Sequence, residues 1–370
     1  MDRIWNGLGK VRRRSGAWFW MLIILAVLAV IFHITKGNQD WMNTWAMAVS
    51  QPWKQSVGWL VSVLPFSVAE VLIGGALVAQ VLFLICAVWD VVRSREHAVQ
   101  AGCRVLQLAT ALLAVYVVYL WLWTANYYTA SLSDITGIPD EPVTVDQLEA
   151  ATLYFVGRIN ETADQVQRDE QGYFTADIDE IFAQSAHLYE PLEQQYPQLA
   201  GRPLAAKPVF FSEFMSRLDL TGFFFPITGE ANVNVHSPLV LVPATIAHEL
   251  AHQRGVAQEQ EANFAAVMAC LASGIPEYEY SGSMFAYIHL SNALRRADST
   301  RWENAAVQID DLPWSDLEMN DAYWRQYDTP VADVGNKLND TFLKSNGQQA
   351  GTASYSAVVN MLCAWVEMQG

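Results

Sequence analysis

The stretch from Pro243 to Ser273, PATIAHELAHQRGVAQEQEANFAAVMACLAS, determines what the rest of the chain has to build. It contains His248 and His252 in the pattern H-E-x-x-H, and residues four apart lie on one face of a helix. The two imidazoles can therefore bind one metal ion, and Glu249 is then placed beside a water molecule on that ion. The pattern predicts a catalytic zinc site.

The neighbouring residues favour a buried pair of helices around this pattern. The run Leu239–Val242 is apolar, and two histidines packed against such a run are costly unless they are paired or bind a metal. Pro243 suits the first turn of a helix, and Gly255 suits its left-handed C-terminal cap. The chain can therefore reverse directly after His252, and we expect a second helix from about residue 257.

A catalytic zinc site needs a third protein ligand and one open position for water. Glu259 and Glu261 both follow in the second helix, but their side chains point about 160° apart at a helical step of about 100° per residue. Only one of them can face the metal. Glu259 shares a helix face with Asn263, which can orient a histidine from behind, so we favour Glu259 as the third ligand with Glu261 as the alternative.

Seven short motifs along the chain extend this pattern. They are Trp123–Tyr128 (WTANYY), Thr221–Pro226 (TGFFFP), Glu230–Asn234 (EANVN), Pro243–Gln253 with Gly255, Glu259–Phe264 (EQEANF), Leu343–Gly347 (LKSNG) and Ser354–Tyr355. Together they resemble the signature of an uncharacterised bacterial family of membrane-anchored proteins with a zinc-metallopeptidase motif, catalogued as a domain of unknown function. That family is similar to the gluzincins, in which two histidines and a downstream glutamate hold zinc. The resemblance covers nearly the whole chain.

The resemblance implies a gluzincin-like metallopeptidase domain with Zn²⁺ as cofactor and a peptide or protein as substrate. In gluzincins a strand before the zinc helix binds extended peptide along its edge, and by resemblance we assign this role to Glu230, Asn232 and Asn234. A turn-forming loop is the alternative for this stretch. Asn263 departs from the broader gluzincin pattern, in which many members carry aspartate at that position.

The N-terminal third has the composition of a membrane domain. Hydrophobic residues make up 52% of the chain, and three apolar runs are long enough to cross a bilayer. The first run is long and lacks a small-residue cleavage site, so we expect a retained anchor rather than a signal peptide. Residues 35–65 are expected to form a tryptophan-rich loop at the membrane interface. The predicted spans are Ala17–Ile34, Val71–Trp89 and Val105–Trp123.

Charge divides the chain at the end of these spans. Residues 1–124 hold 10 of the 22 Lys and Arg and 5 of the 38 Asp and Glu, which leaves 12 basic and 33 acidic residues, a balance of −21, for residues 125–370. The positive-inside rule places the basic N-terminus and the loop with Arg93, Arg95 and Arg104 in the cytoplasm. Three spans then place the C-terminal part outside the cytoplasmic membrane. Its acidity argues against nucleic acid as a partner, so the expected partners are the lipid bilayer and a peptide or protein substrate.

The expected fold class is a three-span α-helical membrane part followed by a mainly helical α+β domain with a small β-sheet. The expected domains are a cytoplasmic basic N-terminus (residues 1–16), a membrane domain (17–124), a linker (125–143) and an extracytoplasmic zinc metallopeptidase-like domain (144–370). Strands are expected at residues 209–211, 222–227 and 233–242. Cys270 and Cys363 are expected to be buried free thiols, with a disulfide between them as the alternative. The oligomeric state stays open.

The expected reaction is hydrolysis of a peptide bond. Zinc lowers the pKa of a bound water, and Glu249 is expected to accept the water proton and pass it to the leaving amine. His236 and Tyr355 are the candidates for a transition-state proton donor. The alternative function is a zinc-binding membrane sensor or interaction module with little turnover. Glu249 argues against that alternative, because holding a metal does not need this carboxylate.

Overall fold

The computed structural model describes residues 2–346 and 356–369, and in this part the chain is mainly α-helical with one small β-sheet. The chain forms two compact units. One contains Met1–Ser50 and Val68–Thr129, and the other contains Gln51–Ser67 and Ala130–Gly370. Residues 51–67, which lie between the first two apolar runs, therefore belong with the C-terminal part.

The first unit contains the three apolar helices that the sequence predicts. Each of them is long and apolar enough to cross a membrane, which confirms three candidate spans. Their side chains face outward along most of their length, as helices surrounded by lipid require. With all helices numbered in chain order, this unit consists of α1 (Asp2–Arg14), α2 (Gly16–Thr35), α3 (Gln39–Trp45), α5 (Val68–Arg93) and α6 (His97–Leu122), with a π-helical turn at Ala46–Ser50 and a 3₁₀ turn at Thr124–Tyr128.

The second unit holds a small sheet within a bundle of helices. Its sheet consists of β1 (Lys207–Pro208), β2 (Gly222–Phe225) and β3 (Glu230–Val233). Its helices are α4 (Gln51–Val61), α7 (Leu132–Thr136), α8 (Val145–Ala163), α9 (Ile178–Gln184), α10 (Glu190–Gln195), α11 (Ser212–Arg217), α12 (Val242–Gln253), α13 (Glu259–Ala272), α14 (Pro276–Ala297), α15 (Ser299–Ala306), α16 (Asp311–Arg325), α17 (Pro330–Ser345) and α18 (Ser356–Glu367). Three 3₁₀ turns lie at Ser185–His187, Pro197–Leu199 and Leu239–Leu241.

Helices α8, α13, α14 and α18 enclose the hydrophobic core behind the H-E-x-x-H helix. Small side chains let α13 and α14 approach closely: a Cβ atom on Gly282 would lie 2.3 Å from Cβ of Cys270. Cys270 and Cys363 are buried free thiols, which confirms the prediction for this pair. The core is therefore closed by packing rather than by a disulfide.

The sheet has the order β1-β3-β2, which corrects two predictions about its strands. The strand predicted at residues 233–242 ends at Val233. Asn234 turns the chain there, because its Oδ1 accepts a hydrogen bond from the backbone N–H of His236 at 2.9 Å. The strand predicted at residues 209–211 is also wrong, because β1 ends at Pro208, one residue before the predicted start. In the centre of the sheet, β3 pairs with parallel β1 and antiparallel β2.

The prediction of a loop at residues 35–65 is wrong, because most of this stretch is helical. Its second half, α4, packs into the second unit, where Gly229 makes room for it. Gly229 has φ +69, and a Cβ atom there would lie 2.1 Å from the carbonyl oxygen of Lys54. The end of the stretch is also fixed, since Lys207 Nζ donates to the carbonyl oxygens of Val61 at 2.8 Å and Phe66 at 3.1 Å.

The close approach of α13 and α14 generates a stability prediction. Gly282→Ala should lower the free energy of unfolding by about 1–3 kcal/mol, because the added methyl group overpacks the contact with Cys270. Gly157→Ala in α8 is the matched control, since nothing lies within 4 Å of its Cβ position. It should raise stability by about 0.5–1 kcal/mol, the usual effect of alanine for glycine in a helix.

Thermal unfolding of the full chain in detergent measures both variants. A midpoint for Gly282→Ala that equals or exceeds that of Gly157→Ala would contradict the close helix contact.

Candidate metal centre

Helices α12 and α13 follow each other directly and pack together, and they carry the residues of the predicted zinc site. Pro243 lies in the first turn of α12, where its missing N–H costs no hydrogen bond. Gly255 has φ +97, and its N–H donates to the carbonyl oxygen of His252 at 3.0 Å. The left-handed conformation turns the chain sharply after α12, so α13 begins only seven residues after His252.

Three side chains converge at this turn: His248 and His252 from α12 and Glu259 from the first turn of α13. One nitrogen of each histidine and a carboxylate oxygen all lie within 4.8 Å of one another. His248 Nε2 is 3.2 Å from Glu259 Oε2, and His252 Nε2 is 3.6 Å from Glu259 Oε1. The side chains are only 13%, 6% and 16% exposed. Two imidazoles and one carboxylate, close together and shielded from water, are a donor set that fits zinc.

Hydrogen bonding gives His252 the tautomer that a metal ligand needs. Its Nδ1 lies 2.7 Å from the carbonyl oxygen of Val256, so Nδ1 carries the proton and Nε2 presents its lone pair. Burial lowers the pKa of His252 to about 4, so its ring is neutral at physiological pH. The ring of His252 is therefore held ready for coordination by the turn that follows α12.

The charges of the other two residues depend on each other. Burial opposes the charge on His248, but the carboxylate of Glu259 outweighs it and raises the pKa of His248. Burial likewise opposes the charge on Glu259, but His252 and His248 outweigh it and lower the pKa of Glu259. Asn263, 3% exposed, lies beside His248 and also favours its charged form. The role of Asn263 in orienting a histidine stays a prediction, because His248 Nδ1 has no hydrogen-bond partner among the described residues.

The structure brings Glu259 to the histidines and directs Glu261 elsewhere. Glu261 is oriented towards the backbone of Leu132, with Asp140 and Asp134 nearby. Burial is the main cause that raises the pKa of Glu261 to about 7, and the two aspartates add to it. Glu261 is therefore a buried acid of the second unit outside the His-His-Glu cluster.

The side chain of Glu249 projects from α12 towards the sheet, and only 4% of the residue is exposed. A Cβ atom on Gly222 of β2 would lie only 2.6 Å from Glu249 Oε1, so glycine at this position leaves the space that the carboxyl occupies. Oε2 of Glu249 is buried, and no residue that the structure describes forms a hydrogen bond with it. Burial raises the pKa of Glu249 to about 8, and Glu259 contributes to the rise. One oxygen of this carboxyl is thus available to a reactant.

The predicted role of Glu230, Asn232 and Asn234 as a substrate-binding edge is wrong, because β3 is the central strand. Their side chains instead hold the unit together. Glu230 accepts from Lys207 Nζ at 2.8 Å, and Asn232 Oδ1 accepts from Ser67 Oγ at 2.7 Å. Asn234 Nδ2 donates to the carbonyl oxygen of Leu220 at 2.9 Å. The outer strand next to the site is β2.

Of the two predicted proton donors, the structure describes only His236, and it is not part of the His-His-Glu cluster. His236 is exposed, and its Nδ1 lies 2.8 Å from the hydroxyl oxygen of Tyr323. Tyr323 in turn donates to Ser216 Oγ at 2.6 Å. Tyr355 lies outside the described residues. The role of a proton donor therefore stays a prediction for both residues.

Two further basic residues near the cluster were missed by sequence reasoning. His289 of α14 has its pKa lowered to about 4, first by burial and then by nearby His248. Lys54 of α4 is 0% exposed, and burial lowers its pKa to about 7. Its Nζ lies 5.6 Å from the ring centre of Phe224, and its charge also disfavours protonation of His252. Lys54 is the sole charged residue between Asp40 and Glu70, which was the available signal in the sequence.

Comparison with protein-family models identifies the family. A model described as Protein of unknown function (DUF3810) matches residues 45–363. This range is most of the chain, so the chain belongs to that family. The matched range includes α4, the sheet and the whole His-His-Glu cluster. A search of the curated proteins finds no match, and neither does a search of the solved structures.

The orientation of the two glutamates of α13 generates a prediction for metal binding. Glu259→Gln should weaken zinc binding by at least about 100-fold, because it removes the charged ligand, whereas even residues that only support a ligand contribute 10–100-fold. Glu261→Gln, a buried glutamate on the same helix, is the matched control and should retain zinc. Zinc titration of the detergent-solubilised chain against a competing chelator measures both affinities. Equal loss in the two variants would contradict the assigned ligand.

The buried ammonium group of Lys54 generates a pH-dependent stability prediction. The pKa of Lys54 falls from 10.5 to about 7 on folding, so its charge destabilises the fold fully below pH 7, and this penalty fades as the pH rises towards 10.5. Lys54→Met should therefore raise the free energy of unfolding by up to about 4 kcal/mol at pH 7 and by much less near pH 10.

Denaturant unfolding at the two pH values measures this gain. Lys337→Met replaces an exposed lysine and should show no comparable gain at either pH. A gain for Lys54→Met that is independent of pH would show that Lys54 is not buried in its charged form.

Proposed function

We propose that this member of the DUF3810 family is a membrane-anchored zinc-dependent metallopeptidase. The observation that carries the proposal is the convergence of His248, His252 and Glu259 beside the buried carboxyl of Glu249. Three protein ligands leave a coordination position open, as a catalytic zinc site requires. A purely structural zinc site would close all four positions with protein ligands, and among the described residues the cluster has three.

Each residue of the cluster has a defined part in peptide hydrolysis. Zinc, when bound by the two histidines and Glu259, supplies Lewis acidity and lowers the pKa of water towards neutrality. Burial alone favours the protonated form of Glu249 near neutral pH, and the charge of a bound cation would favour the ionised form. The ionised carboxylate would accept a proton from the attacking water on Oε2 and donate it to the nitrogen of the leaving amine. His252 keeps its lone pair directed into the site through its hydrogen bond to Val256. Asn263, which lies beside His248, is the residue that we propose to orient the His248 ring when the metal is bound.

Strand β2 is the element that we propose for substrate binding. It is an outer strand of the sheet, and the carboxyl of Glu249 lies against Gly222 at its start. An extended peptide that pairs with an outer strand is held by main-chain hydrogen bonds, whatever its side chains are. A peptide bound along β2 would therefore present its backbone next to Glu249.

The basic residues of the membrane part support an extracytoplasmic position for the catalytic unit. In the first unit, Lys10 of α1 donates to Glu96 at 2.5 Å, and Arg14 binds the same carboxylate. The basic N-terminus and the loop between α5 and α6 thus lie together on one side, which the positive-inside rule assigns to the cytoplasm. The C-terminal part then follows an odd number of spans and lies on the opposite side.

A zinc-binding sensor or interaction module with little turnover is the second candidate function. The observation that favours it is the enclosure of the cluster, since none of its three ligand side chains is more than 16% exposed. A sensor needs the metal but does not need Glu249. The two functions therefore differ in what happens when this carboxylate is removed.

Glu249→Gln tests the proposal directly. The variant should bind zinc like the parent but lose about 10²–10⁴-fold in peptide cleavage, because the amide cannot accept the water proton. Zinc content and cleavage of a broad peptide library are measured on the full chain. Glu261→Gln, which changes a buried glutamate outside the cluster, should keep both properties.

The remaining outcomes separate the hypotheses. Zinc in every variant without cleavage by the parent would favour the sensor. Absence of zinc from the parent would overturn both functions.

A further inference from the structure

The second unit exposes a group of large apolar side chains that we call the aromatic patch. Its members come from two stretches, the one that ends α4 and leads to Val68, and the one between β1 and the end of α11. Phe210 is 86% exposed and Val63 is 78% exposed, values far above those of core residues. The aromatic patch consists of Trp59, Leu60, Val63, Phe66, Phe210, Phe211 and Phe214.

A buried lysine joins the two stretches of the aromatic patch. Lys207 of β1 donates to the carbonyl oxygens of Val61 and Phe66, and Glu230 of β3 neutralises its charge at 2.8 Å. Phe210 follows Lys207 by three residues, which is at most about 10 Å of extended chain. The exposed rings of both stretches therefore occupy one region of the unit rather than two separate ones.

The charge of this region differs from that of the unit that carries it. Residues 55–67 contain no charged side chain, whereas residues 125–370 have a balance of −21. Glu213 lies among the exposed phenylalanines, but Arg217 neutralises it at 2.7 Å. Arg202 lies 5.5 Å from the ring centre of Trp59, so the nearby charge is positive rather than negative. An apolar region of this kind in an acidic unit can approach anionic lipid without the repulsion that the remaining surface experiences.

The chain itself connects the aromatic patch to a membrane span. Ser67 is the last residue of the stretch, and α5, an apolar helix long enough to cross a membrane, begins at Val68. Ser67 is also fixed within the second unit, because its hydroxyl donates to Asn232 of the central strand. The part of the second unit around Ser67 therefore lies where the chain enters the bilayer.

We propose that the aromatic patch inserts into the interfacial region of the lipid bilayer. Tryptophan and phenylalanine rings are favoured at the boundary between headgroups and acyl chains, and an exposed apolar region of this kind marks an interaction surface. Its continuity with α5 selects the bilayer as the occupant over a soluble protein. The second unit is then held against the membrane by its own surface as well as by the spans.

Depth-dependent quenching tests this proposal independently of any enzymatic activity. Single cysteines are introduced at Phe211, at Val63 and, as a control, at Val307, which is 80% exposed after α15. The exposed Cys86 is replaced by alanine, and the chain without an added cysteine gives the labelling background. Each full-length protein is labelled with an environment-sensitive fluorophore and reconstituted into phosphatidylcholine vesicles with or without spin-labelled lipid.

The expected result is a blue-shifted emission at positions 63 and 211 that spin-labelled lipid quenches at least about twofold more than the emission at position 307. Emission at 63 and 211 that matches position 307 would overturn the proposal. A blue shift without lipid quenching would also overturn it, because another protein surface rather than lipid would then cover the aromatic patch.

Discussion

One carboxylate shared between two buried imidazoles is the interaction on which the site depends. Glu259 faces the Nε2 atoms of both histidines, each through a different oxygen. Three ionisable groups in a nearly water-free place would destabilise the fold if they were separated, since a buried charge needs a partner. Their mutual attraction, or a shared cation, offsets that cost only when α12 and α13 approach closely. The sharp turn at Gly255 makes this close approach possible.

The carboxyl of Glu249 imposes a second close approach, between α12 and the sheet. Gly222 leaves the volume that this carboxyl fills, and Gly229 leaves the volume that the backbone of α4 fills. Gln253, the last residue of α12, donates to the carbonyl oxygen of Gly229 at 2.8 Å and fixes the same turn. Two glycines in the hairpin of β2 and β3 thus bring the H-E-x-x-H helix α12 and α4 close together. Lys54 is buried near the histidines as a result.

The sequence predicted those parts of the protein that depend on local spacing. The three apolar helices follow from length and composition, and the grouping of His248, His252 and Glu259 follows from residues that lie on two consecutive helices. Glu249 was predicted as a site residue from its position in the H-E-x-x-H motif alone.

The parts that the sequence did not predict depend on distant partners. Glu230–Asn234 was predicted to form an edge strand of the sheet. Nothing in these residues shows that Lys207–Pro208 pairs with them on the side opposite β2. Lys54 was predicted to lie in an interfacial loop. Its burial could not be predicted, because it is caused by the hairpin around Gly229, about 175 residues away in the chain. Strand order and the packing of α4 depend on residues that are far apart in the sequence, so the hydrophobic periodicity of a single segment does not predict them. The aromatic rings near Lys54 led to the prediction of a segment at the membrane interface, whereas the Lys54 side chain is buried inside the second unit.

The composition of the second unit also restricts the topology of the membrane part. Residues 51–67 and 130–370 form one compact unit, which requires an even number of bilayer crossings between these two stretches. Exactly two candidate spans, α5 and α6, separate these stretches in the described chain, and an even number returns the chain to its starting side. A crossing by α2 would then put the basic helix α1 on the opposite side. This parity is independent of charge, and the basic residues are needed only to decide which side is the cytoplasm.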